Sequence, residues 1–189
     1  LYALERRAER VGAEPHCRTN VASDIVHPSA IYTSHPTTTF YNYTKIRSEV
    51  RRYAAGLLPA NYHVSYSISE RSTFADVVEF LRAGVNIVSV FDSVYCGPLH
   101  RYGVLPARVV VRHATTGEEY SVDCVDGDIH DIRTPRFDGR GVFVALRGKG
   151  SNVAKARARK AGFFRPFPGG STFYVREHVR EGTAVVVLN

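Results

Sequence analysis

The sequence predicts an α/β fold: an incomplete or decorated (βα) barrel, or an open parallel sheet, with an added β-hairpin and a C-terminal β extension. Three observations carry this. In the first half, stretches of strand-like composition alternate with stretches of helical period, joined by loops of a few residues, which is the rhythm of right-handed βαβ units. The stretch "VNIVSVF" is apolar on both faces, as a strand of a parallel sheet covered on both sides must be. In the second half the rhythm stops, and "ARVVVRHATTGEEYSVDCVDGD" reads as two strands about a Thr-Gly turn. A chain of 189 residues with 44% apolar and 23% charged residues can bury a core. It divides into an α/β domain over residues 1–150 and, over 151–189, a basic segment and a C-terminal β-hairpin packed on that domain.

The elements follow in order. "LYALERRAERVGA" places Leu1, Leu4, Ala8 and Val11 at helical spacing, and Gly12 suits the stop. "HCRTNVASDI" is a strand running into a loop, and "TTTFYNYTKI", rich in Thr, Tyr and Phe, is a second strand. "RSEVRRYAAGLL" is a helix closed by Gly56 and Pro59, and "NYHVSYSIS" alternates as a strand. "STFADVVEFLRAG" is the clearest helix, with Ser72 as its cap, Asp76 in its first turn and one apolar face of Phe74, Val77, Val78 and Leu81. After the hairpin, "GVFVALRGKG" is a strand. "TFYVREH" and "TAVVVLN" read as a final pair of strands, with "RPFPGGS" leading into them.

Composition excludes several classes. No apolar run reaches the roughly 18 residues that span a bilayer. The charged N-terminus is no secretory signal. Residue 1 is Leu and the chain has no Met, so the native start is expected elsewhere. Cys17, Cys96 and Cys124 form no C-x-x-C pair and no even framework, so they read as buried free thiols. No G-x-G-x-x-G follows the first strand, and there is no G-x-S-x-G elbow, which disfavours dinucleotide binding and serine hydrolysis. The net charge of +7 and pI near 9.5 favour a polyanionic partner, nucleic acid before membrane. That charge is concentrated in "RGKGSNVAKARARK", residues 147–160, which contains no acid.

Read in order, "RTNVASDI", "TTFYNYTKI", "LPANYHVSYSISE", "GVNIVSVF", "VDGDIHDIR" and "GVFVALRGKG" resemble the motifs of a family of bacteriophage and prophage proteins. The resemblance covers roughly residues 1–150. It implies a cysteine cluster upstream of the first helix, similar to that of radical-SAM-like partial barrels, where three cysteines hold an iron–sulfur cluster. The sequence begins at that helix, so the expectation is a processed or truncated piece. It also implies a location in the host cell or the virion.

Ligands of α/β sheets and barrels sit at the carboxyl ends of the strands, and each predicted strand ends in polar residues. The first ends in Asn20, Ser23 and Asp24, the second in Tyr43, Thr44 and Lys45, the third in Ser67, Ser69 and Glu70. The later ones end in Asp126, Asp128, His130, Asp131 and Arg133, then in Arg147 and Lys149. Asp126, Asp128 and His130 share one face if the segment is extended, and would suit a divalent ion, Mg²⁺ or Mn²⁺. Asp128, His130 and Asp131 are the candidates for acid/base work, since a carboxylate beside His130 would raise its pKa. Lys45, Arg133, Arg147 and Lys149 are candidate phosphate holders. Lys155, Arg157, Arg159 and Lys160 could clamp a phosphate backbone, with Phe163, Phe164 and Phe167 stacking on bases. Each reading has a plainer rival: Asp-Gly is turn chemistry, a basic run is a solvated helix, and phenylalanines are core. The functional expectation is a phage-derived, enzyme-like domain acting on a nucleotide or nucleic acid at the Asp/His/Lys/Arg rim. The alternative is a non-catalytic nucleic-acid-binding or structural protein that uses residues 147–167.

Overall fold

The computed structural model describes residues 1–21, 23–96, 101–165, 174–175 and 180–189; Phe167 and most of "RPFPGGS" lie outside them, as does the Cys96 side chain. The chain opens with helix α1 (Tyr2–Val11), which Gly12 ends in a left-handed conformation at φ 65°. Strands β1 (His16–Arg18), β2 (Thr39–Thr44), β3 (Tyr62–Ser67) and β4 (Ile87–Cys96) then pair in parallel, in that order. Helices α2 (Ser29–Thr33), α3 (Arg47–Ala54) and α4 (Phe74–Arg82) connect them; the βαβ rhythm read from the first half is observed, and α2 is a short helix added to it where the sequence reading has only a loop. The short strand β5 (Arg101–Gly103) turns back antiparallel on β4. Strands β6 (Arg108–His113) and β7 (Glu119–Asp126) form the antiparallel hairpin about Gly117. After α5 (Pro135–Asp138), strand β8 (Phe143–Gly148) enters between β4 and β7, parallel to both. Helix α6 (Asn152–Lys160) follows, then β9 (Tyr174–Val175) beside β5, and β10 (Thr183–Leu188) parallel to β6.

The result is one mixed, mostly parallel sheet of order β1-β2-β3-β4-β8-β7-β6-β10, with β5 and β9 branching from β4. It is not closed: among the described residues β1 and β10 each have a strand on one side only. The predicted C-terminal hairpin is corrected, because β9 pairs with β5 and β10 with β6. The reason is burial. Ala184, Val186 and Leu188 alternate along β10 and enter the same core as Val109 and Val111 of β6. A lone two-stranded ribbon would leave that stripe in water.

Strand alternation assigns the two faces. On one, Phe40, Tyr62, Val64 and Tyr66 join Val50 of α3 and Val77, Phe80 and Leu81 of α4 in a single core with the β6 and β10 residues. Tyr66 meets Phe80 edge-on at 5.0 Å, and Tyr62 stacks on Tyr32 of α2 at 4.1 Å. Phe74 N donates to Asn189 O at 2.7 Å, which ties the start of α4 to the end of β10. Thr73, not Ser72, caps α4, accepting from Asp76 N at 3.2 Å. Ser72 is buried and bonded to the Tyr66 hydroxyl (2.8 Å) and Ser69 N (2.9 Å) instead. On the other face, His16, Arg18, Tyr41, Tyr43 and Ser67 look toward the loop after β7 and the segment after β8, with His16 and Phe137 in ring contact.

Candidate functional site

The turn "VDGDIHDIR" leaves β7 at the carboxyl edge of the sheet. Gly127 allows it, because a Cβ there would stand 2.6 Å from Leu146 Cδ2 and 2.7 Å from Val144 Cγ1. The Asp126 and Arg147 side chains are fully buried, and Arg147 Nη1 lies 2.8 Å from Asp126 Oδ1 and 3.4 Å from Asp128 Oδ2. Arg147 N donates to Asp128 Oδ2 at 2.8 Å and Arg147 Nε to Gly103 O at 2.5 Å. Lys149 Nζ sits 2.9 Å from Asp128 Oδ1. His130 Nδ1 is 2.9 Å from Arg133 Nη2, and Arg133 Nη1 is 2.7 Å from Asp138 Oδ1 in a second buried pair. Burial pushes the Asp138 carboxyl up from the ordinary range, with Arg133 and then His130 pulling the other way.

These two clusters answer the charge-rich turn in structural terms. The expected sharing of one face by Asp126, Asp128 and His130 is not found: the two aspartates close on Arg147, while His130 turns to Arg133. Among the described residues no three His, Cys, Asp or Glu side chains are arranged to hold a metal ion. Arg133 and Arg147, read as phosphate holders, are sequestered instead. A buried guanidinium needs a carboxylate beside it to offset desolvation, and each has one.

The remaining rim residues do converge. A cavity of about 430 Å³ opens at the carboxyl ends of β1, β2, β3 and β8, beside the first half of β4, on the face away from α3 and α4. It is lined by Arg18, Tyr43, Lys45, Ser67, Asp131, Lys149 and Phe163 over an apolar floor that includes Val88 and Leu146. The Arg18 guanidinium lies 4.4 Å from the Tyr43 ring, and Arg18 Nε donates to Asn20 O at 3.0 Å. Burial pushes the Tyr43 hydroxyl up to about 12, against the pull of Arg133 and Arg18, so it is a neutral hydrogen-bonding group at pH 7. Lys45 is exposed, and its ammonium has no acceptor among the described residues. Asp24 accepts from Thr44 Oγ1 at 2.5 Å and from Lys45 N at 2.7 Å, so it fixes where Lys45 leaves β2 rather than facing a ligand. Asn20 is likewise a loop former, donating to Ile25 O at 2.8 Å and lying 2.9 Å from His27 Nε2.

A second cavity of about 450 Å³ adjoins the first, sharing Lys45, Ile68 and Phe163 and adding Ser69, Glu70 and Arg165. Helix α6 borders this region. Ser151 caps it, accepting from Ala154 N at 3.2 Å. Its four cations are not equivalent. Arg159 is 2.7 Å from Asp92, Lys155 is buried, and Arg157 and Lys160 are exposed. Phe163 and Phe164 also part company. Phe163 is 56% exposed between the two cavities. Phe164 packs on Gly148 so closely that a Cβ there would stand 2.6 Å from its ring. Gly148 thus makes room for the Phe164 ring. Arg18, Ser89 and Arg165 were missed from the sequence. The strand-end logic that chose Asn20 could have found Arg18, two residues earlier. Arg165 carries no local signal.

Comparison with curated proteins yields no match, and comparison with solved structures yields none either. The gene product 88 family model matches residues 1–165 and so takes in α6, beyond the point near residue 150 where the motif resemblance stopped. With that much of its length matched, the chain belongs to the gene product 88 family, a family of phage type.

Proposed function

We propose that the protein binds the phosphate of a nucleotide or nucleic acid in the cavity at the carboxyl edge of the sheet. One observation carries this reading: Arg18, Lys45 and Lys149, from the ends of three different strands, line one cavity with a single carboxylate, Asp131, among them. Cations converging on a partly enclosed space suit an oxyanion. Tyr43 and Ser67 supply neutral hydrogen bonds, and the apolar floor suits a base or sugar edge. If a reaction follows binding, Asp131 is the group for proton transfer, because Asp126, Asp128 and His130 are occupied with Arg147 and Arg133. The described cysteines do not fit the iron–sulfur cluster that the resemblance implies. Cys17 lies in the edge strand β1, and Cys124 is fully buried in β7, five places away in sheet order.

The test is binding of fluorescently labelled nucleotides and oligonucleotides across a salt titration, with and without Mg²⁺ or Mn²⁺. Affinity is expected to fall with salt, and Lys45→Ala to weaken it by about tenfold, the scale of one charge-assisted hydrogen bond. No binding at low salt removes the reading. A second reading, binding along α6 alone, draws on Arg157 and Lys160, the two cations of that helix that are exposed and unpaired among the described residues. It predicts that Arg157→Ala with Lys160→Ala abolishes binding while Lys45→Ala leaves it intact.

A further inference from the structure

Arg165 poses a problem that the first cavity does not solve. Its backbone is fixed, because Arg165 N donates to Val90 O at 2.8 Å and Asp92 N donates to Arg165 O at 2.9 Å, laying the residue alongside the middle of β4. Its side chain lines the second cavity. Its Nε is buried with no hydrogen-bond partner, and among the described residues the guanidinium has no carboxylate partner. The nearby acid that lines the same cavity, Glu70, stays 83% exposed and lies 3.9 Å from Arg71. Burial alone pulls the Arg165 pKa down from its ordinary value, which is the sign of a charge held without compensation. The two fully buried arginines, Arg133 and Arg147, each have an aspartate within 2.8 Å, whereas Arg165 is half-buried. A guanidinium that lacks this and faces a cavity suits an anion supplied from outside.

Between the two cavities stands Phe163, and Lys45 lines both. We infer that Arg165 and Lys45 form a second phosphate subsite beyond Phe163, so that the rim takes a single-stranded nucleic acid, with one phosphate in each cavity and a base stacked on the Phe163 ring. This rests on the phosphate reading of the first cavity and names its ligand class. The exposed ring chooses single strands: a base can stack on it only where its own face is free, as in an unpaired strand and not in a duplex. It also chooses a polymer over a mononucleotide, because one phosphate cannot occupy both cavities.

The experiment measures binding of three probes to the full chain across a salt titration: thymidine monophosphate, fluorescein-labelled oligothymidylate, and the same strand paired with oligoadenylate. The single strand is expected to bind about tenfold or more tighter than either other probe. Phe163→Ala is expected to weaken strand binding by about tenfold, the scale of one stacked base. Arg165→Ala should lower the ratio of strand to mononucleotide affinity and reduce the slope of log affinity against log salt by ~0.7, one single-strand phosphate contact. Phe163 is exposed, so its variant tests the idea even if loss of Arg165 disturbs the β4 junction. If the mononucleotide binds but the strand binds no tighter, or neither variant changes strand binding, the second subsite is wrong while the first stands. If the duplex binds as well as the strand, the stacking role fails. If no probe binds at low salt, the phosphate reading itself falls.

Discussion

Arg147 is the residue on which the carboxyl edge depends. It holds Asp126 and Asp128, spans to the Gly103 carbonyl, and places its guanidinium 5.6 Å from the Tyr102 ring. Its removal takes the buried guanidinium from Asp126, while Asp128 keeps Lys149, so Arg147→Met is expected to cost about 3–5 kcal/mol, read by urea unfolding. A loss under about 1 kcal/mol would mean that water reaches the aspartates. Glu5 provides a different kind of tie. Its carboxyl accepts from His35 (3.0 Å), Thr38 (2.8 Å) and Thr37 (3.1 Å), joining α1 to the turn before β2. The His35 and then the Thr38 hydrogen bond hold it below its ordinary value of 4.5. A carboxylate lowered by folding stabilises the fold above the unfolded value and loses that contribution as pH falls through the folded one. Protection of α1 amides against hydrogen exchange should therefore drop as pH falls below about 4.5. Glu5→Gln should remove that pH dependence, and an unchanged profile would show that the tie is not what holds α1. The same scale explains what was readable: the polar character of "VDGDIHDIR" is plain in the sequence. Whether Asp128 faces a metal or an arginine depends on Arg147, 19 residues away on the next strand.

Among the elements, the junction of β8 and α6 decides where the basic segment lies. Phe164 fits over Gly148 with no room for a Cβ, and Arg159 reaches Asp92 on β4 while stacking 5.8 Å from the Phe164 ring. Gly148→Ala should cost about 1–3 kcal/mol by overpacking and displace Phe163 with its neighbour. Thermal unfolding measures the first effect. A Gly148→Ala protein as stable as the parent would show that the ring can move away. The basic run itself is legible as a stretch without acids, and a solvated helix is its plainer reading. Its division into Arg159 paired, Lys155 buried, and Arg157 and Lys160 without a partner among the described residues is not legible, since all four look alike on a helical wheel of cations. The reading of 147–160 as one uniform clamp gives way for that reason.

Across the whole molecule, the last strand closes the core that the first half opens. Ala184, Val186 and Leu188 belong to the same buried cluster as residues of β2, β3, β4 and α4, and Asn189 O receives the first amide of α4. Truncation before residue 183 is therefore expected to abolish cooperative unfolding altogether, not to peel off one edge. Differential scanning calorimetry on the truncated chain checks this, and a retained single sharp transition would mean that residues up to 182 fold alone. Pairing residues so far apart in sequence also predicts slow folding for this size.

What the sequence determined by itself is the first four strands with helices α3 and α4 between them, the β6/β7 hairpin, and the concentration of polar groups at the strand ends. Those follow from side-chain period, turn chemistry and strand direction, all of which are local. What only the tertiary structure decided is which strand β10 joins, which arginines are consumed by carboxylates, and which cations remain to line a cavity. Each of these depends on a partner distant in sequence, and burial selects that partner by pairing charges and covering apolar stripes wherever the completed sheet brings them together.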